Sequence, residues 1–192
     1  MELRTLKLLT WIVTIMVALE TLPTLLVATS MGMFPEFLMT NIAPIADTFD
    51  FCALVFTILT MITFAVWIHQ AGSNLVRAGY DDLEFTPASR IWWFAVPIAT
   101  LFKPYQGMRE LWNASHGERE YTITVPLVST WWALWLLDNL LNRLFRGFEN
   151  PSILPLAAAA DVALAIVAIM MIQNIAAAQR RLSPAEVAEV FA

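Results

Sequence analysis

The stretch Ile91 to Phe102, IWWFAVPIATLF, decides how this chain can be arranged. It is strongly apolar and carries no charged residue. It has only about a dozen residues, however, whereas a helix needs about 20 to cross the hydrocarbon layer of a bilayer. Pro97 lies inside the stretch and removes a backbone donor, which interrupts a helix. A run of this length favours a re-entrant or interfacial segment over a span.

The composition of the whole chain indicates a membrane protein. Hydrophobic residues make up 59 % of its 192 residues and charged residues only 14 %. A soluble domain is about one quarter charged, because its surface faces water. The net charge of −5 leaves no basic patch for nucleic acid, so we expect none as a partner. A single cysteine, Cys52, excludes an internal disulfide framework and a cysteine-rich metal site.

Four further apolar stretches are long enough to cross a bilayer, at about residues 6–29, 48–69, 123–145 and 153–178. The first is longer than the apolar region of a usual signal peptide and lacks a clear cleavage site, so we interpret it as a span. A connection from Gly32 to Asp47 follows it. Residues 183–192 open with Ser183-Pro184-Ala-Glu186, which predicts a short cytoplasmic helix. The predicted fold is an all-α, four-span helical bundle over residues 1–182, with a hairpin at about residues 87–115.

The distribution of basic residues tests whether residues 91–102 cross the membrane. If they cross, six basic residues fall on one side and five on the other, which is no bias. If they turn back, only Arg143 and Arg146 lie on one side. Nine basic residues then lie on the other, namely Arg4, Lys7, Arg77, Arg90, Lys103, Arg109, Arg119, Arg180 and Arg181. This second arrangement has the asymmetry of a real topology, and it places both termini in the cytoplasm.

The segment from Trp67 to Ser115 carries the most distinctive pattern of the chain. A Trp and an Asn end one predicted span, a Gly-containing loop follows, and Thr-Pro opens an aromatic segment with two prolines. An acidic-Leu-Trp-x-Ala-Ser sequence closes the pattern. The positions are Trp67, Asn74, Gly79, Pro87, Trp93, Phe94, Pro97, Pro104, Glu110, Trp112 and Ser115.

In its order and spacing this pattern resembles the bacterial family catalogued as domain of unknown function 4328. The resemblance implies a multi-pass protein of the bacterial inner membrane, and it brings no known chemistry. Two positions depart from the family pattern. Gln70 stands where an arginine is expected, and Thr100 stands where an asparagine is expected.

The hairpin has a plausible local construction. Thr86 before Pro87 suits a helix N-cap, and Pro104 suits the start of a second helix. In that second helix one face is apolar (Tyr105, Met108, Leu111, Trp112), and an opposite polar face is expected at Gln106, Arg109, Glu110 and Asn113. Two interpretations stay open: a surface hairpin anchored by aromatic residues, or a cap over a cavity whose freed backbone groups bind a ligand.

Three carboxylates fall inside predicted spans: Glu20, Asp138 and Asp161. An intramembrane acid is a functional candidate because its charge is costly in hydrocarbon. At 1.5 Å per residue, the three are expected to lie at similar levels in the outer half of the bilayer. They are expected either to be satisfied separately by neighbouring helices or to share a polar site for a proton or cation. Asp161 lies with Ala157 and Ala165 on a small-residue face, which favours close helix packing.

The sequence contains no catalytic motif of a known class and no haem-type histidine pair, since His69 and His116 lie near the predicted surface. We therefore expect no catalytic residues, no metal and no cofactor. Three functional classes remain: a non-catalytic subunit or scaffold, a small transporter or ligand-binding protein, and a lipid-directed enzyme. The first is favoured, and the enzyme has least support. The expected partners are the lipid bilayer and other membrane subunits or further copies of the chain.

Overall fold

The computed structural model describes residues 6–148 and 151–182, and every regular element within these ranges is helical. The predicted helix over residues 183–192 lies outside the described residues. Four helices are long: α1 (Lys7–Met33), α3 (Ala46–Arg77), α6 (Pro126–Phe148) and α7 (Leu154–Arg181). Each overlaps one of the four apolar stretches interpreted above as spans, although α3 continues to Arg77, beyond the predicted end at about residue 69. Three helices are short: α2 (Pro35–Phe37), α4 (Ser89–Trp92) and α5 (Lys103–Ser115).

The four long helices lie side by side in the order α3, α1, α7, α6, because α1 packs against α3 and α7, and α7 packs against α6. Alanines on α7 permit this close packing, since small side chains let helix backbones approach. Ala157 and Ala165, on the face predicted from the sequence, are both buried. Between α3 and α6 the rings of Phe64 and Trp131 meet edge to face, with centroids 6.4 Å apart.

Helix α5 closes one end of this row by packing against α3, α6 and α7. The main apolar core forms there and extends along α7. Its fully buried members come from all five of these helices and include Val13, Trp67, Ile68, Leu75, Met108, Leu111, Val128, Met171, Ile172 and Ile175. The hairpin is therefore an integral part of the core.

The connection from Gly32 to Asp47 is mostly helical. After α2 the chain forms a π-helical turn (Leu38–Ile42) and a 3₁₀ turn (Ala43–Ile45) before α3 begins. Pro35 opens α2 and Pro44 lies in the 3₁₀ turn right after its first residue, positions where a missing amide proton costs nothing.

Three of the described helical segments are long and apolar enough to cross a membrane: Lys7–Met33, Pro35–Arg77 and Leu154–Arg181. Helix α6 has 23 residues but is less apolar. It contains three tryptophans, and polar residues recur from Asp138 onward.

Candidate functional site

The residues of the Trp67–Ser115 pattern converge where α3, α5 and α7 meet. Trp67 is completely buried, and its indole N–H donates to the Thr10 hydroxyl of α1 at 3.0 Å. This bond satisfies the polar end of a large apolar side chain. Trp67 thus connects α3 to α1, and its ring stacks on Phe64 with centroids 6.0 Å apart.

A buried amide network joins α3, α5 and α7 through Gln179. The Gln179 Nε2 donates to the Ala71 carbonyl at 2.9 Å and to the Ser115 hydroxyl at 3.0 Å. Its Oε1 accepts from Asn74 Nδ2 at 3.3 Å. All three polar side chains are buried, so each bond replaces water that the site excludes. Asn74 and Ser115, both predicted from the sequence, are brought together, although Gln179 itself was not predicted.

Gly79 ends α3 in a conformation that favours glycine. Its φ is +90°, and the Gly79 and Tyr80 amides donate back to the Val76 and Leu75 carbonyls. This pair of bonds is a Schellman motif, in which glycine avoids the steric penalty of the left-handed region. The turn directs the chain away from α3 and toward the hairpin.

A buried ion pair fixes the base of the hairpin. The Glu110 Oε1 accepts from Arg90 Nη2 at 2.6 Å and from the Phe85 amide at 3.1 Å. Its Oε2 accepts from the Glu84 amide at 2.7 Å. The side chains of Arg90 and Glu110 are only 1 % and 5 % exposed, so a lone charge here would be costly. One carboxylate therefore holds an arginine and two loop amides at once.

Two glycines make room for Arg90. A Cβ on Gly72 of α3 would lie 2.7 Å from Arg90 Nη1, and one on Gly107 of α5 would lie 3.4 Å from Arg90 Cγ. Burial lowers the pKa of Arg90, and the attraction of Glu110 opposes that shift. Nη1 is buried and has no hydrogen-bond partner among the described residues. The arginine is thus clamped between α3 and α5 by shape as well as by charge.

The predicted polar face of α5 is wrong for two of its four members. Glu110 and Asn113 are 4 % and 2 % exposed. The Asn113 Nδ2 donates to the Tyr121 and Ile123 carbonyls at 3.0 and 2.9 Å, which holds the chain that leads into α6. Both side chains are buried because they form hydrogen bonds with neighbouring segments. The periodicity of one helix does not show which segments will pack against it.

The loop before α6 is also attached to the start of the hairpin. The Tyr121 hydroxyl donates to Asp82 Oδ1 at 2.8 Å. Loss of solvent and this bond to a carboxylate together raise the pKa of Tyr121 to about 12.

The first turn of the hairpin has the predicted cap. The Thr86 hydroxyl accepts from the Ser89 amide at 3.1 Å, with Pro87 between them, although regular helix begins only at Ser89. Lys103 closes this part of the hairpin. Its Nζ pairs with Glu84 at 2.9 Å and lies 5.9 Å from the centre of the Trp93 ring.

The helix is interrupted inside the apolar run, as predicted, but it ends before Pro97 and not at that residue. Regular helix ends at Trp92, and Ile98 has a φ of +66°. The Ala99 amide donates to the Pro97 carbonyl at 2.7 Å, which makes a γ-turn in a conformation that is rare and strained for a β-branched residue. Thr100 donates its hydroxyl proton to the Phe94 carbonyl at 3.1 Å across the break.

Two further pattern residues lie on α5. Pro104 is buried at its start, where it has no amide to satisfy. Trp112 stacks on His116 at 4.5 Å between ring centroids. His116 and His69 are both exposed. Within residues 6–148 and 151–182, no group of three or more His, Cys, Asp or Glu side chains could hold a metal ion.

The three carboxylates within the long helices lie in a separate region. The Thr57 hydroxyl of α3 donates to Glu20 of α1. Thr24 of α1 hydrogen-bonds to Asp161 of α7, which lies within electrostatic range of Asp138 and Glu20. Asn142 donates to Asp138 at 3.1 Å within α6. Polar contacts therefore link α1 to α3 and to α7, and Asp138 of α6 lies within electrostatic range of Asp161; we call these six residues the polar belt.

Arg90, Gly72 and Gln179 were not predicted as site residues. Arg90 had a signal in the sequence, since it is a lone cation beside an apolar stretch and such a charge needs an acidic partner. Gln179 and Gly72 had none, because their partners lie far away in the sequence.

These observations define an all-helical protein with several helices suited to a bilayer and with a helical hairpin fixed to them by buried polar contacts. The family model described as Domain of unknown function (DUF4328) matches residues 39–179, which is most of the chain. The chain belongs to this family, which confirms the resemblance stated above. No curated protein and no solved structure matches it.

Proposed function

We propose that this protein is a non-catalytic subunit or scaffold of an assembly in the bacterial cytoplasmic membrane. Four spans and two cytoplasmic termini are part of this proposal. The apolar character of α1, α3 and α7 supports three of the spans. The length of α6 and its packing on α7 support the fourth, as does the distribution of basic residues.

The proposal rests mainly on the hydrogen bonds that the polar groups of the pattern residues make. The indole of Trp67, the amide of Asn74 and the carboxylate of Glu110 all bond to other parts of the same chain. Catalytic groups would instead converge on a place where a reacting atom can sit. These residues build a rigid cytoplasmic end, which suits a protein that positions other chains.

The outer surfaces are consistent with such a role. Helices α1 and α3 expose large apolar side chains along their length, among them Trp11, Leu22, Phe51, Leu54 and Ile62. In a membrane these surfaces contact lipid or the helices of a partner.

Extraction in a mild detergent followed by native mass spectrometry tests the proposal. We expect a complex of fixed stoichiometry with other polypeptides or with further copies of the chain. A monomer that retains a small molecule at fixed stoichiometry would overturn the proposal and favour the second candidate.

The second candidate is a small transporter or a lipid- or small-molecule-binding membrane protein that uses the intramembrane carboxylates. The polar belt favours it, because Asp161 lies within electrostatic range of both Glu20 and Asp138, which come from two other helices. The Glu20 Oε2 is also buried without a hydrogen-bond partner among the described residues. Intramembrane acids that share a site are typical of proton and cation pathways.

Replacing Asp161 with asparagine tests this candidate. If the belt carries protons, Asp161→Asn should remove most of the proton flux into liposomes loaded with a pH-sensitive dye, because the amide cannot exchange a proton. The control is Asp47→Asn, since Asp47 is exposed in the first turn of α3. Folded wild type and Asp161→Asn proteins with equal flux would eliminate the belt as a proton path.

A further inference from the structure

The segment from Trp92 to Phe102, which we call the hairpin tip, presents an apolar surface that the rest of the chain leaves uncovered. Ile98 is 77 % exposed and Trp92 is 69 % exposed; Val96, Leu101 and Phe102 are exposed beside them. The tip contains no charged residue. A soluble surface rarely carries this many large apolar side chains together.

The backbone of the tip is irregular, yet most of its carbonyls are satisfied. Eight of its eleven carbonyls accept a hydrogen bond from within the chain, including those on both sides of the break. In water such bonds are unnecessary for an exposed loop, whereas in hydrocarbon each unsatisfied group costs several kcal/mol. The strained γ-turn at Ile98 fits this requirement, because it gives the Pro97 carbonyl a donor.

The contacts of the hairpin with the chain around α6 show how far it extends. The farther a hairpin residue lies before the end of α5, the farther along α6 is the residue that it contacts. The contacts are Asn113 with Ile123, Tyr105 with Ser129, Leu101 with Trp132, and Phe94 with Trp135. Trp135 lies nine residues beyond Pro126, which is about 13 Å along the helix axis. The tip therefore lies beside α6 well past the start of that helix.

We infer that the hairpin tip is re-entrant and that its exposed side chains contact the acyl chains of the cytoplasmic leaflet. This inference rests on the proposed crossing of the membrane by α6. If α6 crosses from Pro126, the tip lies below the headgroups, beside a helix that itself exposes Leu137 and Leu140. Lipid acyl chains therefore cover this surface, because an acyl chain binds without charged side chains or unpaired backbone groups.

Spin labels at single cysteines in the full-length protein, reconstituted in phosphatidylglycerol and phosphatidylethanolamine liposomes, test this inference. Cys52→Ser gives the background, and the label is placed by Ile98→Cys or, independently, by Trp92→Cys. Leu140→Cys is the matched lipid control, because Leu140 is exposed on α6. Glu118→Cys is the water control, in the exposed loop after α5.

We expect labels at 98 and 92 to match the label at 140, with high collision rates with oxygen and low rates with a water-soluble nickel chelate. Labels at 98 and 92 that match position 118 would overturn the inference. So would an immobilised label that neither reagent reaches, which indicates a protein partner, or a dipolar coupling between labels, which indicates a second copy. If the label at 140 itself reports water, the crossing of α6 fails and the proposed architecture fails with it.

Discussion

Replacing Glu110 with alanine is expected to destabilise the protein more than any other single change in the hairpin. The substitution leaves Arg90 buried without its counter-ion and removes the acceptor of the Glu84 and Phe85 amides. Breaking a buried pair by removing one partner costs about 3–5 kcal/mol. A typical domain is stable by only about 5–15 kcal/mol, so the loss is a substantial part of its stability. Unfolding in detergent micelles, followed by circular dichroism against denaturant, measures the loss.

Two further variants identify the cause. Arg90→Met combined with Glu110→Met removes both charges, so it should recover part of the loss, although the two amides remain unsatisfied. Glu84→Ala is the surface control, because its bond to Lys103 is largely exposed and is worth at most about 1 kcal/mol. If Glu110→Ala costs no more than Glu84→Ala, the buried pair does not hold the hairpin.

Replacing Gly72 with alanine should also destabilise the protein, by about 1–3 kcal/mol from overpacking. This is contrary to helix propensity, which favours alanine over glycine by about 1 kcal/mol. The new Cβ would lie 2.7 Å from Arg90 Nη1 and 3.3 Å from the Pro87 Cα. Arg90 cannot move aside freely, because Glu110 holds its other nitrogen. The same denaturant titration measures the change.

Gly32→Ala in α1 is the matched control, since a Cβ there meets nothing within 4 Å. It should be neutral or slightly stabilising. On an Arg90→Ala background, Gly72→Ala should lose most of its cost, and this double-mutant cycle isolates the contact. A Gly72→Ala protein at least as stable as wild type would show that the arginine is free to rearrange.

The sequence predicts the long helices well, because long apolar runs mark their positions. Pro97 indicates an interruption within the apolar run, although the helix ends already at Trp92, and the turn after α3 has its glycine at the position that needs one. These features depend on residues that are close together in the chain, so a single sequence is enough to predict them.

The partners of the buried polar groups could not be predicted. Asn74 and Gln179 are 105 residues apart, and nothing local to either residue indicates the other. Glu110 looks like a surface residue by its spacing on α5, and only the position of Arg90 places it inside. For the carboxylates, similar depths could be estimated, but the threonines that link them, Thr24 and Thr57, depend on which helices are neighbours.

The order of the long helices also has a consequence for biogenesis. Helix α1 packs extensively on α7, which is the last of the four to be synthesised. The ribosome therefore makes α1, α3 and α6 before the helix that packs against both α1 and α6 exists. Until then α1 and α6 lack the helix that lies between them, and final packing depends on the arrival of a single alanine-rich segment.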